Sequence, residues 1–140
     1  MGIWGTMGII AVSILVAGTL AILTDWLFMG VLFHEAYRRY PEVWWPRDGS
    51  SRNAIIWSSA VGYLMTAGVV GLCAMAGADT LAKCLAVAGL AWLAGPMVVV
   101  VVNGFFIKID PRITLAHCLG WLARMALAGA TFFVALGHWR

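Results

Sequence analysis

Charge is scarce in this chain: of 140 residues, nine are Lys or Arg and six are Asp or Glu. Soluble domains carry roughly 25% charged residues, against 11% here, so a conventional hydrophilic surface is excluded. Mean hydropathy of +0.93 points the same way, and lipid is the expected solvent. The net charge of +3 rests on too few residues to build a nucleic-acid surface. Cysteine is also sparse. Cys73, Cys84 and Cys118 show no CxxC or other metal spacing and fall in or beside apolar segments, where free cysteine behaves as a small hydrophobe. Neither a disulfide framework nor a metal site is expected.

Enzyme signatures are missing as well. His34-Glu35 opens no HExxH, because Arg38 stands where the second histidine belongs. There is no nucleophile elbow, Walker loop or dinucleotide fingerprint, and Met29, Met65 and Met97 are scattered rather than laddered for copper. No enzymatic activity, catalytic residue or cofactor is therefore expected. The N-terminus has no basic run before its first apolar stretch, so no cleaved secretory signal is expected. Met1-Gly2-Ile3-Trp4-Gly5-Thr6 fits a myristoylation pattern, but it runs into an apolar stretch that would anchor the chain by itself.

What the chain does have is four apolar blocks, near residues 5–37, 53–77, 81–107 and 113–139. Each exceeds the roughly 20 helical residues that a hydrocarbon core requires. Helices are expected, because an unpaired backbone group in lipid costs several kcal/mol. Residues 1–140 thus read as one all-α domain. The connections are short: Pro41–Arg52, with Trp44, Trp45, Pro46 and an Asp48-Gly49-Ser50-Ser51 turn; Gly77-Ala78-Asp79-Thr80; and Lys108-Ile109-Asp110-Pro111. Ser50 or Ser51 suits a helix N-cap, Gly77 a helix end and Pro111 a helix start. Such joins predict an integral membrane four-helix bundle running up-down-up-down. Arg38, Arg39, Arg47, Arg52, Lys108 and Arg112 lie on one side, and Lys83 and Arg140 on the other. The positive-inside rule then places loops 38–52 and 108–112 in the cytoplasm and both termini outside. Trp4 and Trp139 fall in the outer aromatic belt, and Trp44, Trp45 and Trp57 in the inner one. Glu35, Glu42, Asp48 and Asp110 lie near loops and read as ordinary surface charges.

Two charges break the pattern. Asp25 lies twelve residues before Tyr37, and Arg124 twelve after Arg112. At about 1.5 Å per residue both sit roughly 18 Å deep, at one level. An isolated charge there costs about 3 kcal/mol or more, which pairing would relieve. The second helix brings Ser59, Tyr63 and Thr66 onto one face. The third is broken at Gly95-Pro96, which frees the Trp92 carbonyl. Asn103 and His117 either extend this layer toward the cytoplasm or serve only as hydrogen-bonding groups between helices. His34, nine residues from Asp25, points away from it on a regular helix.

Two readings follow. In one, Asp25, Arg124, Tyr63, Thr66, Asn103 and His117 form a site that binds or transports a small solute or protons. In the other, the pair is a strut in a non-catalytic accessory subunit of a larger membrane complex, packed through faces such as Ala116/Gly120 and Ala126/Ala130. Haem b on His34 and His117 is a third reading, which the angle of His34 disfavours. The expected partners are the lipid bilayer and either further copies of the chain or a larger membrane complex.

The second half, through Ala88-Gly89-Leu90-Ala91-Trp92-Leu93, Val102-Asn103-Gly104-Phe105-Phe106 and Ala116-His117-Cys118-Leu119-Gly120-Trp121, resembles a domain-of-unknown-function family of small four-helix bacterial membrane proteins. Asp25-Trp26-Leu27-Phe28-Met29-Gly30-Val31-Leu32-Phe33 resembles the aromatic end of that family's first helix, although its Trp-Tyr-Ser/Gly-Pro signature is absent. The resemblance implies a four-helix topology and a bacterial inner membrane, and no particular activity.

Overall fold

A computed structural model describes residues 3–39 and 52–138, and every regular element among them is helical. The expected Ser50/Ser51 cap, the Trp44-Trp45 belt and Trp139 lie outside the described residues.

The first block, expected as a helix near residues 5–37 that emerges from Phe33 as an interfacial turn or two, is α-helical only over α1 (Ile3–Asp25). It widens into a π-helical stretch over Trp26–Leu32, where Phe33 N–H reaches back five residues to the Phe28 carbonyl at 3.0 Å. The backbone breaks at Phe33, and the short α2 (His34–Arg38) follows. Ser13, Thr19 and Thr24 on α1 donate to carbonyls four residues back, so their hydroxyls are satisfied within an apolar helix.

Helix α3 (Arg52–Met75) ends where glycine is required. Gly77 has a φ of +59°, and Ala78 N–H and Gly77 N–H bond the Cys73 and Ala74 carbonyls at 2.9 and 3.2 Å. This is a Schellman termination. Thr80 then caps α4 (Leu81–Trp92), its hydroxyl accepting from Lys83 N–H. Pro96 has no N–H to bond Trp92, so the helix opens into a π turn over Leu93–Met97 before α5 (Val98–Phe106) resumes.

Helix α6 (Pro111–His138) begins at its proline. Asp110 caps it. One carboxylate oxygen accepts Arg112 N–H at 2.8 Å, the other accepts from Arg39 Nη1 at 3.2 Å, and the backbone carbonyl takes Ile113 and Thr114 N–H. Asp110 is 4% exposed, not the ordinary surface charge its loop position suggests, because the end of α2 and the start of α6 close over it.

Helix α6 is the hub of the packing. It lies against α1, α3 and α4, and α1 lies against α3. Small residues permit this. A Cβ on Gly129 would sit 2.8 Å from the Cys84 carbonyl oxygen, so α4 and α6 touch backbone to backbone there. Around them Ile9, Val70, Cys73, Cys84, Met125 and Phe132 form the buried core. Trp92 Nε1 adds a cross-link, donating to the Cys118 carbonyl of α6 at 2.9 Å.

Four helical stretches are long and apolar enough to cross a membrane: Gly5–Leu32, Arg52–Met75, Leu81–Phe106 and Pro111–His138. Their outer faces expose Leu64, Met75, Val98, Val99, Phe105 and Phe106.

Two outcomes test this packing. Gly129→Ala is expected to lower stability by about 1–3 kcal/mol, as overpacking does, whereas Gly68→Ala, with open space at its Cβ, leaves the thermal midpoint of the purified protein unchanged or raises it. Asp110→Ala is expected to cost about 1 kcal/mol or more through the lost cap. Asp110→Asn, which keeps an acceptor for Arg112 N–H, is expected to cost less in the same melting experiment.

Candidate functional site

The two stranded charges meet. Asp25 ends α1 and Arg124 lies midway along α6, whose Nη1 stands 3.0 Å from Oδ1 and 2.9 Å from Oδ2 of the carboxylate. One guanidinium nitrogen thus sits between both oxygens, in place of the fork-to-fork arrangement that uses two. Trp121, one turn earlier on α6, lies beneath the cation, with Arg124 Cζ 4.6 Å from the ring centroid. Gly62 on α3 makes the space: a Cβ there would fall 2.6 Å from Arg124 Nη2. The Arg124 Nε is buried with no hydrogen-bond partner, a state that ordinarily costs about 1–3 kcal/mol.

The pair borders a cleft of about 840 Å³ between α1 with its π extension, α3 and α6. Its walls are mainly apolar and include Trp26, Met29, Ile55, Trp57 and Trp121, with Ser58, Ser59 and His117 as further polar groups. The Arg124 side chain is 8% exposed and that of Asp25 32%. The carboxylate is therefore the more open half of the pair, although Arg124 also lines the cleft.

Toward the α2 end, Tyr37 Oη and His117 Nε2 share a hydrogen bond at 3.1 Å, with the rings edge to face. Burial, and then the nearby Asp25 carboxylate, push the Tyr37 phenol up to about 12. The phenol is thus neutral at physiological pH. What the arrangement offers chemically is a donor and an acceptor of cancelling charge in apolar surroundings, beside the Tyr37–His117 hydrogen bond.

The other residues singled out from sequence go elsewhere. Tyr63 turns to α1, sharing a 2.9 Å hydrogen bond with Thr19 and packing its ring where Gly18 leaves room. Thr66 is fully buried and donates to the Gly62 carbonyl of its own helix. Asn103 is exposed on α5 and does not join the layer. Its neighbour Gly104 is the one that meets Thr114 of α6, and one residue further round a helix is about 100° away. The Pro96 turn is likewise absent from the cleft lining. His34 is exposed on α2, while His117 engages Tyr37, so the two do not form an axial pair for haem. Among the described residues no group of three or more His, Cys, Asp or Glu side chains is placed to hold a metal ion.

No family model matches this chain, and no curated protein or solved structure is significantly similar to it. The reading of the site therefore rests on its own geometry.

A double-mutant cycle probes the pair. Asp25→Asn and Arg124→Leu should each destabilise by about 3 kcal/mol, since each strands the other group. The double variant should lose less than the sum of the two, by about 1 kcal/mol or more in thermal or chemical unfolding. Tyr37 supplies a pH signature. A folded-state value near 12 against an ordinary 10.0 means the unfolded chain ionises first, so this contribution to stability is whole below pH 10 and lost as pH climbs to 12. Tyr37→Phe should flatten that part of the stability–pH curve.

Proposed function

We propose that this chain is an integral membrane four-helix bundle, running up-down-up-down in a bacterial inner membrane, that holds or transfers a small solute at the Asp25–Arg124 pair. Four helices of spanning length and an apolar exterior support insertion. Arg38, Arg39, Arg52, Lys108 and Arg112 at one set of helix ends support cytoplasmic placement of residues 38–52 and 108–112, with both termini outside.

The observation that carries the solute reading is the cleft beside the pair. A strut is best sealed between helices, where its charges are shielded from lipid and water. Here a third of the Asp25 side chain is open to a space of about 840 Å³, within the range of ordinary small-molecule sites. Ionisable groups that line such spaces in membrane proteins commonly serve binding or proton transfer.

A second reading draws on the exposed face of α5. Val98, Val99, Val102, Phe105 and Phe106 are open, which suits an accessory subunit packed against a larger complex. Purification in mild detergent separates the readings: copies of this chain alone favour the solute site, and stoichiometric unrelated chains favour the accessory role. The binding claim has its own test. Native mass spectrometry of protein released from its own membranes should find a small molecule retained by the wild type and lost from a folded Asp25→Asn/Arg124→Leu variant. Equal retention by both would overturn the proposal.

A further inference from the structure

The same cleft, taken as the binding site proposed above, also indicates what kind of molecule it takes. We infer that it holds a neutral amphiphile with a flat aromatic or quinonoid head and an apolar tail, entering sideways from the lipid. Three observations lead there. The Asp25–Arg124 pair cancels in charge, so a charged head would give up its hydration for no net attraction, whereas a neutral head that donates to the carboxylate or accepts from the guanidinium gives up little. Arg124 itself lines the space and meets the carboxylate through Nη1 alone, so its guanidinium has further N–H groups to donate to a head. Three indoles, Trp26, Trp57 and Trp121, line the space, and indole faces favour flat rings over saturated heads.

The route in is lateral. Ile22, Trp26, Ile55, Trp57 and Val61 both line the cleft and lie on the exposed flanks of α1 and α3. A tail leaving between these helices would run directly among acyl chains, and the head would sit near the level of Asp25. Two of the tryptophans divide the work. Trp121 is committed beneath the Arg124 cation. Trp57, at 71% exposure, carries little of the fold and is free to cover a ring.

The experiment uses the full chain in phosphatidylcholine–phosphatidylglycerol nanodiscs and follows thermal unfolding with four probes of equal tail: decylubiquinone, decanol, decanoate and decyltrimethylammonium. Decylubiquinone should raise the midpoint saturably while the other three do not. Trp57→Leu should melt like the wild type without probe and bind decylubiquinone several-fold more weakly. Gly62→Ala, whose Cβ would push on the Arg124 guanidinium, should weaken it as well. A saturable shift from decanoate or decyltrimethylammonium that disappears in Asp25→Asn would overturn the head assignment while leaving the solute site standing. Equal shifts from decanol and decylubiquinone would remove the ring requirement and overturn it too. If no probe shifts the midpoint, the inference fails, and the mass-spectrometric comparison of wild type and double variant decides separately whether the site itself fails. A Trp57→Leu variant that binds decylubiquinone as the wild type does would contradict the placement of the ring.

Discussion

One ion pair between α1 and α6 organises this molecule. In apolar surroundings neither Asp25 nor Arg124 is tolerable alone, because an unpaired charge costs several kcal/mol. Contact at 2.9 Å relieves that cost and fixes the depth of one helix against the other. Much of the local sequence follows from the need to house this pair. Gly62 leaves room for the guanidinium, Trp121 lies beneath it, and the first helix departs from α geometry immediately after Asp25. The pair is not optimised as a strut. A single nitrogen faces both oxygens and a donor is left over, while the carboxylate stays partly open, a poor arrangement for stability alone.

The rest of the fold depends on neighbouring helices coming close to α6 from several sides. Gly129 against Cys84 at one end, Gly62 against Arg124 in the middle and Gly104 against Thr114 at the other end each replace a side chain by close approach. In the bilayer proposed for this chain, where apolar side chains gain nothing by leaving the solvent, such contacts and a few hydrogen bonds would carry the association. The Trp92–Cys118 and Tyr37–His117 bonds serve that purpose. Asp110 does the equivalent at the end of the bundle, where it joins a helix cap to an ion pair.

Four helices were legible from the length and apolarity of their blocks, and two of their ends from Gly77 and Pro111, because those signals are local; the Thr80 cap came only with the structure. The meeting of Asp25 with Arg124 was legible from depth alone, since rise per residue is nearly the same in any regular helix. Angular position was not. Counting about 100° per residue fails beyond a π stretch, and both the first and third helices contain one. Tyr37 thereby reaches His117 unannounced, and Asn103 turns outward. Tyr63 and Thr66 show a different limit. A hydroxyl can be satisfied by an adjacent helix or by its own backbone, and composition cannot say which. The burial of Asp110 depended on Arg39, 71 residues away in sequence, a separation that no local pattern encodes.

The claim on which all of this rests is that residues 25 and 124 touch within the bundle when the chain is in a bilayer. Solid-state NMR on protein labelled at the aspartate carboxyl carbons and the arginine guanidinium nitrogens, reconstituted in lipid, measures that directly. The account predicts a carbon–nitrogen correlation between Asp25 and Arg124 as strong as a 2.9 Å nitrogen–oxygen contact requires, absent from the Asp25→Asn control spectrum at that shift. A wild-type spectrum in which Arg124 shows no carboxylate neighbour would contradict it.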